Sequence, residues 1–139
     1  MPFMQPSDAL PENGLLIPIS LGELLDRVSI LELKQQRVSD PERRRNVLRE
    51  LALLTGILEK KDFAISDSAL QPLRAVNSQL WDLENRIRLL DRNGDHGEEF
   101  IQVAREIHRL NDIRHQLKHS INLACDSWVI EEKEYSPEP

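Results

Sequence analysis

A stripe of apolar residues at helical spacing runs through the middle of the chain. Its members are separated by three or four residues in strict alternation: Leu73, Val76, Leu80, Leu83, Ile87 and Leu90. This spacing places all of them on one side of a helix, and it is typical of a helix that lies nearly parallel or antiparallel to another. The stripe therefore predicts a helix over residues 69–92 and an all-α fold of packed helices.

Start and stop signals predict three further helices. Ser20 and Glu23 form a capping box, in which both side chains satisfy free amides at the start of a helix. Pro41 suits a first helical turn, and Asn93-Gly94 suits a helix end. The expected helices cover residues 21–38, 41–60, 69–92 and 97–124. Because the connections are short, we predict an antiparallel four-helix bundle made of two helical hairpins.

Short apolar segments flank the helices at Leu15–Ile19 and Ser127–Ile130. We predict that they pair as a minor two-stranded β appendage, which must also lie on the helices because an isolated two-stranded ribbon is marginal in water. Three prolines in residues 1–13 predict a flexible N-terminal tail. Residues 14–135 are then a single helical domain, and residues 136–139 are a C-terminal tail.

Charge and composition exclude several classes of partner. The chain has 139 residues and a net charge of -6, which repels nucleic-acid phosphates, so no nucleic-acid partner is expected. No apolar run approaches the ~18–20 residues needed to cross a bilayer, so we expect no membrane insertion. A single cysteine, Cys125, favours a reducing compartment and hence the cytoplasm. The chain lacks a glycine-rich phosphate loop and a nucleophile elbow, so no cofactor and no catalytic residue are predicted.

Four segments carry a resemblance to a known family: SLGELLDRVSILELK at 20–34, VNSQLWDLENRIR at 76–88, FIQVAREIHRLNDIRHQLKHSIN at 100–122 and VIEEKEY at 129–135. Together they resemble an uncharacterised bacterial family of short helical proteins, a domain of unknown function, over residues 15–135. None of these motifs is a known catalytic signature. The resemblance implies an accessory role beside glycosyltransferase-like and repeat-containing proteins of envelope polysaccharide synthesis.

A second stripe on the third helix carries polar residues and a tryptophan. Asn77, Trp81, Glu84 and Arg88 are spaced by four, three and four residues, and they lie about 100° around the helix from the apolar stripe. Exposing an indole is unfavourable, so Trp81 must be covered by the first helix, by a second subunit or by a ligand. Packing inside one bundle is the simplest of these alternatives.

Arg114 interrupts the apolar stripe of the fourth helix and needs a carboxylate partner, for which Glu84 on the facing helix is our candidate. Two roles of Arg114 are possible, and one is a purely structural ion pair. The other is a polar pocket for a small anionic or sugar-like ligand. The binding residues that we predict are Asn77, Trp81, Glu84, Arg88, Asn111, Asp112 and Arg114.

Two patterns could hold a metal ion. Glu23 and Asp26 lie on one helix face, as in magnesium-dependent helical pyrophosphohydrolases, and His115 and His119 have the i, i+4 spacing of zinc ligands. For the histidines a solvated helix face is the better interpretation. Our preferred hypothesis is a noncatalytic helical interaction module that binds a protein partner or self-associates through the Trp81 stripe or the wide apolar face of the first helix. The alternative is a small metal-dependent phosphohydrolase or acid/base enzyme that uses Glu23 and Asp26.

Overall fold

The computed structural model of the chain describes residues 13–61 and 67–135. These residues form four α-helices: α1 at Leu21–Arg37, α2 at Pro41–Lys60, α3 at Asp67–Arg92 and α4 at Glu98–Ala124. The predicted all-α class with packed helices is confirmed, and each predicted boundary lies within two residues of the observed one. Apart from Asn13, the two predicted tails lie outside the described residues.

Two of the four helices begin at side-chain caps, and one of these, Ser20, is predicted from the sequence. The Ser20 hydroxyl accepts a hydrogen bond from the Glu23 amide at 3.1 Å, and the Asp40 carboxylate accepts one from the Arg43 amide at 2.9 Å. The capping box at Ser20 is only half formed, because the Glu23 carboxylate turns to Lys118 and Arg27 instead of the cap. A side chain that was predicted to cap α1 thus joins a tertiary contact.

Helix α1 is the centre of the fold. It contacts α2, α3 and α4, and α3 and α4 also contact each other. Helices α3 and α4 are antiparallel, since Arg86 pairs with Glu99 near their connection while Leu73 and Ile121 share a core cluster at the far end. The first cluster contains Leu21, Leu24, Leu25, Leu73 and Ile121, and the second contains Val76, Leu80 and Leu110.

Helix α2 is attached more loosely than the other helices. Within the described residues, its backbone lies close to that of α1 alone. Leu54 and Leu58 pack against the first cluster, but Val47 is the helix's one buried residue, and Leu48, Leu53 and Ile57 are exposed. Helix α2 therefore retains apolar surface that the fold does not cover.

The predicted β appendage is wrong, because residues 13–61 and 67–135 contain no strand. The segment after α4 binds the start of α1 through side chains instead of a backbone ladder. The Ser127 hydroxyl accepts a hydrogen bond from the Leu21 amide at 3.1 Å, and the Ser20 hydroxyl donates one to Glu131 at 2.9 Å. Pro18, which has no N–H, further weakens any strand at residues 15–19. None of the helices in the described part of the chain combines the length and the apolarity needed to cross a membrane.

Candidate functional site

An ion pair between α1 and α4 lies at the centre of the molecule. The Asp26 side chain is fully buried, and Arg114 binds both of its oxygens, with Nε to Oδ1 at 2.9 Å and Nη2 to Oδ2 at 2.5 Å. Such two-bond pairing is the strongest arrangement of these groups. The hydrogen bonds that Arg114 donates to Asp26 raise the pKa of the guanidinium, which stays charged.

Helix α3 completes the surroundings of Asp26. The Asn77 amide nitrogen donates to Asp26 Oδ1 at 2.9 Å and to the Ser29 hydroxyl at 2.8 Å. The Ser29 hydroxyl in turn donates to the Asp26 backbone carbonyl at 2.7 Å. We call Asp26, Ser29, Asn77 and Arg114 the buried network. Because a buried charge without partners is costly, these four groups favour a single register of α1, α3 and α4.

A second group of ion pairs lies one turn toward the start of α1. Lys118 donates to the Glu23 carboxylate at 2.5 Å and lies 3.6 Å from Glu131, while Arg27 donates to Glu23 at 3.1 Å. Burial acts to raise the pKa of Glu23, but the hydrogen bonds from Lys118 and Arg27 outweigh it and leave that pKa below its ordinary value. Glu23 is therefore a carboxylate at neutral pH.

A close approach of α1 to α4 brings these groups together. The Gly22 amide donates to the Asn122 side-chain oxygen at 2.6 Å, in a fully buried contact. A Cβ on Gly22 would overlap the Lys118 backbone carbonyl. Glycine at this position thus lets the two backbones meet, and the longer side chains of Arg114 and Lys118 then reach carboxylates on α1.

Two depressions open on either side of Arg114. The larger one, about 710 Å³, is the basic cleft; it is lined by His108, Asn111, Asp112, Arg114, His115, Lys118, Lys133 and Tyr135. The smaller one, about 280 Å³, is the Trp81 groove; it is lined by Ile30, Leu33, Asn77, Leu80, Trp81, Glu84, Asn85, Asn111 and Arg114. Arg114 and Asn111 belong to both depressions, and Arg114 joins them to the buried network.

Six of the seven predicted binding residues line these depressions. Five of them lie in the Trp81 groove: Asn77, Trp81, Glu84, Asn111 and Arg114. Asp112 lies in the basic cleft, where it pairs with Lys133 at 3.0 Å. Arg88 lines neither of these depressions and pairs with Glu84 at 3.3 Å on the surface of α3. Trp81 is half-buried, with the Arg37 guanidinium 5.7 Å from its ring centroid.

The predicted partner of Arg114 is wrong: the guanidinium binds Asp26 on α1, and Glu84 pairs with Arg88. Sequence spacing relates residues within a helix, whereas this pair joins positions 88 residues apart. One local signal was present, because Asp26 is flanked on its face of α1 by the small residues Gly22 and Ser29. Small neighbours on both sides mark the place where another helix can reach an acidic side chain.

The structure gives the residues proposed as metal ligands other contacts. Asp26 is enclosed by Arg114 and Asn77, and Glu23 by Lys118 and Arg27, so each carboxylate already has cationic or amide donors. His115 and His119 stack with ring centroids 6.2 Å apart and are half-buried, unlike the solvated histidines expected. Across residues 13–61 and 67–135, no group of three or more histidine, cysteine or acidic side chains could hold a metal ion.

The fold and this site define an all-helical protein organised around a buried ion-pair network. The chain belongs to a family of unknown function, DUF6165, whose model matches residues 15–138. The predicted membership of an uncharacterised family is thereby confirmed. No curated protein and no solved structure matches the chain.

Proposed function

We propose that the chain is a noncatalytic helical interaction module that self-associates through one end of its helices. The observation that carries the proposal is a set of large apolar side chains at the end where α1 starts and α2 and α4 finish. We call this set the terminal surface, and it consists of Leu15, Leu16, Ile17, Ile57 and Trp128.

The side chains of the terminal surface are far more exposed to water than is favourable for large apolar residues. Trp128 is 92% exposed, and Leu15 and Leu16 are each 87% exposed. Ile57 and Trp128 line a depression of about 320 Å³ together with Ile19. Ile19 lies two positions after the exposed segment Leu15–Ile17. Large apolar side chains that include an exposed tryptophan are typical of protein–protein interfaces.

Two other surfaces considered from the sequence are less favoured as the interface. The wide apolar arc of α1 is covered by the other three helices, and its core residues Leu24, Leu25 and Val28 are buried. Trp81 is half-buried and lies beneath Arg37, which donates to Asp82 at 2.7 Å. Trp128 has far less cover than Trp81, so it is the tryptophan that we assign to the interface.

The buried network argues for a structural use of the polar residues between the helices. Asp26 has its partners, Arg114 and Asn77, within the chain, which is what a fixed scaffold for an interaction surface requires. The accessory setting in envelope polysaccharide synthesis and the cytoplasmic location come from the family resemblance and the cysteine count, and both belong to this proposal.

The test is the mass in solution, measured by light scattering across a range of protein concentrations. We expect the unmodified chain to reach about twice its 16.1 kDa monomer mass at micromolar concentration, as in a two-fold dimer. Trp128→Ser and Leu16→Ser should both shift the mass back to that of the monomer. Because these side chains are exposed, neither substitution should alter the fold.

Leu48→Ser is the matched control, since Leu48 is an exposed apolar residue of α2 that lies nine positions before Ile57. It should leave the dimer intact. A short bismaleimide that joins Cys125 to Cys125 gives a second measurement, because Cys125 is exposed beside Trp128. A chain that stays monomeric at every concentration, or a dimer that survives Trp128→Ser, would overturn the proposal.

A further inference from the structure

The basic cleft concentrates positive charge in a chain that is acidic as a whole. The chain has a net charge of -6, yet the side chains that line the cleft include Arg114, Lys118 and Lys133 against a single carboxylate, Asp112. The acidic partners of Arg114 and Lys118 are absent from the lining: Asp26 is fully buried behind the cleft, the Glu23 side chain is 23% exposed, and Glu131, 44% exposed, lies 3.6 Å from Lys118. The surface that faces a ligand is therefore predominantly cationic.

Asp26 orients Arg114 for binding. It uses the Nε and Nη2 nitrogens of Arg114, while Nη1 makes no hydrogen bond to the described residues and 29% of the side chain stays exposed. A guanidinium that is held by a buried carboxylate loses little conformational entropy when it binds a second anion. Arg114 is thus a preorganised donor at the boundary of the cleft.

The other cations approach the same space from different elements. Lys118 lies one helical turn after Arg114 on α4, and Lys133 comes from the segment that follows α4. The Lys133 ammonium pairs with Asp112 and lies 4.8 Å from the centroid of the Tyr135 ring. Arg114, Lys118 and Lys133 each pair with a carboxylate of the chain and still keep further N–H donors. These remaining donors converge on one space and match the three terminal oxygens of a phosphate.

The size of the cleft indicates a ligand larger than a free ion. Its volume of about 710 Å³ falls within the range of roughly 300–1,000 Å³ that is typical of small-molecule sites. Asn111 and His108 add further hydrogen-bonding side chains, and Tyr135 adds an aromatic face. We propose that the basic cleft binds a small phosphorylated compound, with the phosphate held by Arg114, Lys118 and Lys133.

This site is separate from the terminal surface, so each proposal can fail without the other. The probe is inorganic pyrophosphate, titrated into the full chain by isothermal calorimetry at low ionic strength. We expect saturable one-site binding with a dissociation constant below the millimolar range. Lys133→Gln should weaken it about tenfold, as expected when one charge-assisted contact is lost. Lys133 is the best variant because its pair with an exposed carboxylate contributes little to folding.

Arg109→Gln is the matched control, because it removes one positive charge from the same helix at an exposed position outside the cleft. It should change the dissociation constant by less than about twofold. Succinate, a dicarboxylate, should bind at least tenfold more weakly than pyrophosphate. Absence of binding, equal loss of affinity in Lys133→Gln and Arg109→Gln, or equal affinity for succinate would overturn the proposal.

Discussion

Helices α1 and α2 look alike in the sequence and are used very differently in the fold. Each is amphipathic, starts at a side-chain cap and contains one internal glycine. Eight residues of α1 are buried, but Val47 is the one buried residue of α2. The difference follows from the number of neighbours, since α1 is packed against three helices and the backbone of α2, among the described residues, against one.

This difference explains why α1 carries buried polar residues and why α2 carries exposed apolar residues. Helix α1 carries Asp26 and Ser29 into the interior, where partners from α3 and α4 satisfy them. Among residues 13–61 and 67–135, α1 is the one helix whose backbone lies close to α2, and Leu53 and Ile57 of α2 stay exposed. Surrounded helices can thus hold buried polar groups, whereas a peripheral helix supplies apolar surface for contacts outside the fold.

The largest expected difference between the two helices concerns their acidic residues. Asp26→Asn on α1 leaves Arg114 without a counter-charge, and we expect a loss of about 3 kcal/mol in the free energy of unfolding. This is the low end for a broken buried pair, because the Arg114 side chain keeps 29% exposure and can be partly hydrated. Urea denaturation measures the change.

Glu50→Gln is the control on α2, where Glu50 is exposed. We expect a change of less than about 0.5 kcal/mol. If Asp26→Asn and Glu50→Gln lower the free energy of unfolding equally, the difference in burial between α1 and α2 does not decide what their acidic residues contribute to stability.

The two glycines should respond in opposite directions to the same substitution. Gly22→Ala on α1 forces a methyl group against the Lys118 carbonyl, and we expect a loss of about 1–3 kcal/mol. Gly56→Ala on α2 meets no atom within 4 Å, so the better helix former should add about 0.5–1 kcal/mol. Thermal and urea unfolding of both variants provide the measurement. A stabilised Gly22→Ala would contradict the close approach of α1 and α4.

The smallest expected effect is the pH dependence that Glu23 contributes to α1. Its pKa lies below the ordinary value of 4.5 in the folded chain. A lowered pKa means that the ion pairs with Lys118 and Arg27 stabilise the fold above pH ~4.5 and cease to do so as the pH falls through the folded pKa. The free energy of unfolding of Glu23→Gln should therefore decline less on acidification than that of the unmodified chain.

Lys118→Met removes the main hydrogen-bond donor to Glu23 and should reduce the pH dependence in the same way. Denaturation curves recorded at several pH values measure both variants. If all three proteins lose stability in parallel on acidification, the ion pairs of Glu23 do not contribute as the structure indicates.

The prediction of the helices succeeded where the signals are local. The cap at Ser20, the first turn at Pro41 and the stop at Asn93-Gly94 depend on neighbouring residues, and the stripe from Leu73 to Leu90 depends on the geometry of one helix. The strands failed for the opposite reason, because a strand exists only when a second segment pairs with it. Ser127 and Glu131 bind the start of α1 through side chains, so that pairing does not form.

The site was predictable only in part. The notable positions on α3 and α4, Asn77 and Arg114, do meet in one network. The sequence favours Glu84 as the partner of Arg114, whereas the structure gives Asp26, because no local rule relates Asp26 to a residue on α4. Lys118 and Lys133, which line the basic cleft, did not stand out because single lysines on helices and tails are common in any sequence.

The sequence by itself determined which residues are helical and where each helix begins and ends, because those preferences act over a few neighbouring positions. The tertiary structure alone decided that Asp26 pairs with Arg114 and that α1 is surrounded while α2 is peripheral. It also decided that Trp128 is left exposed while Trp81 is half-covered. These outcomes depend on how helices distant in the chain pack, and the free energy of that packing is a property of all four helices together.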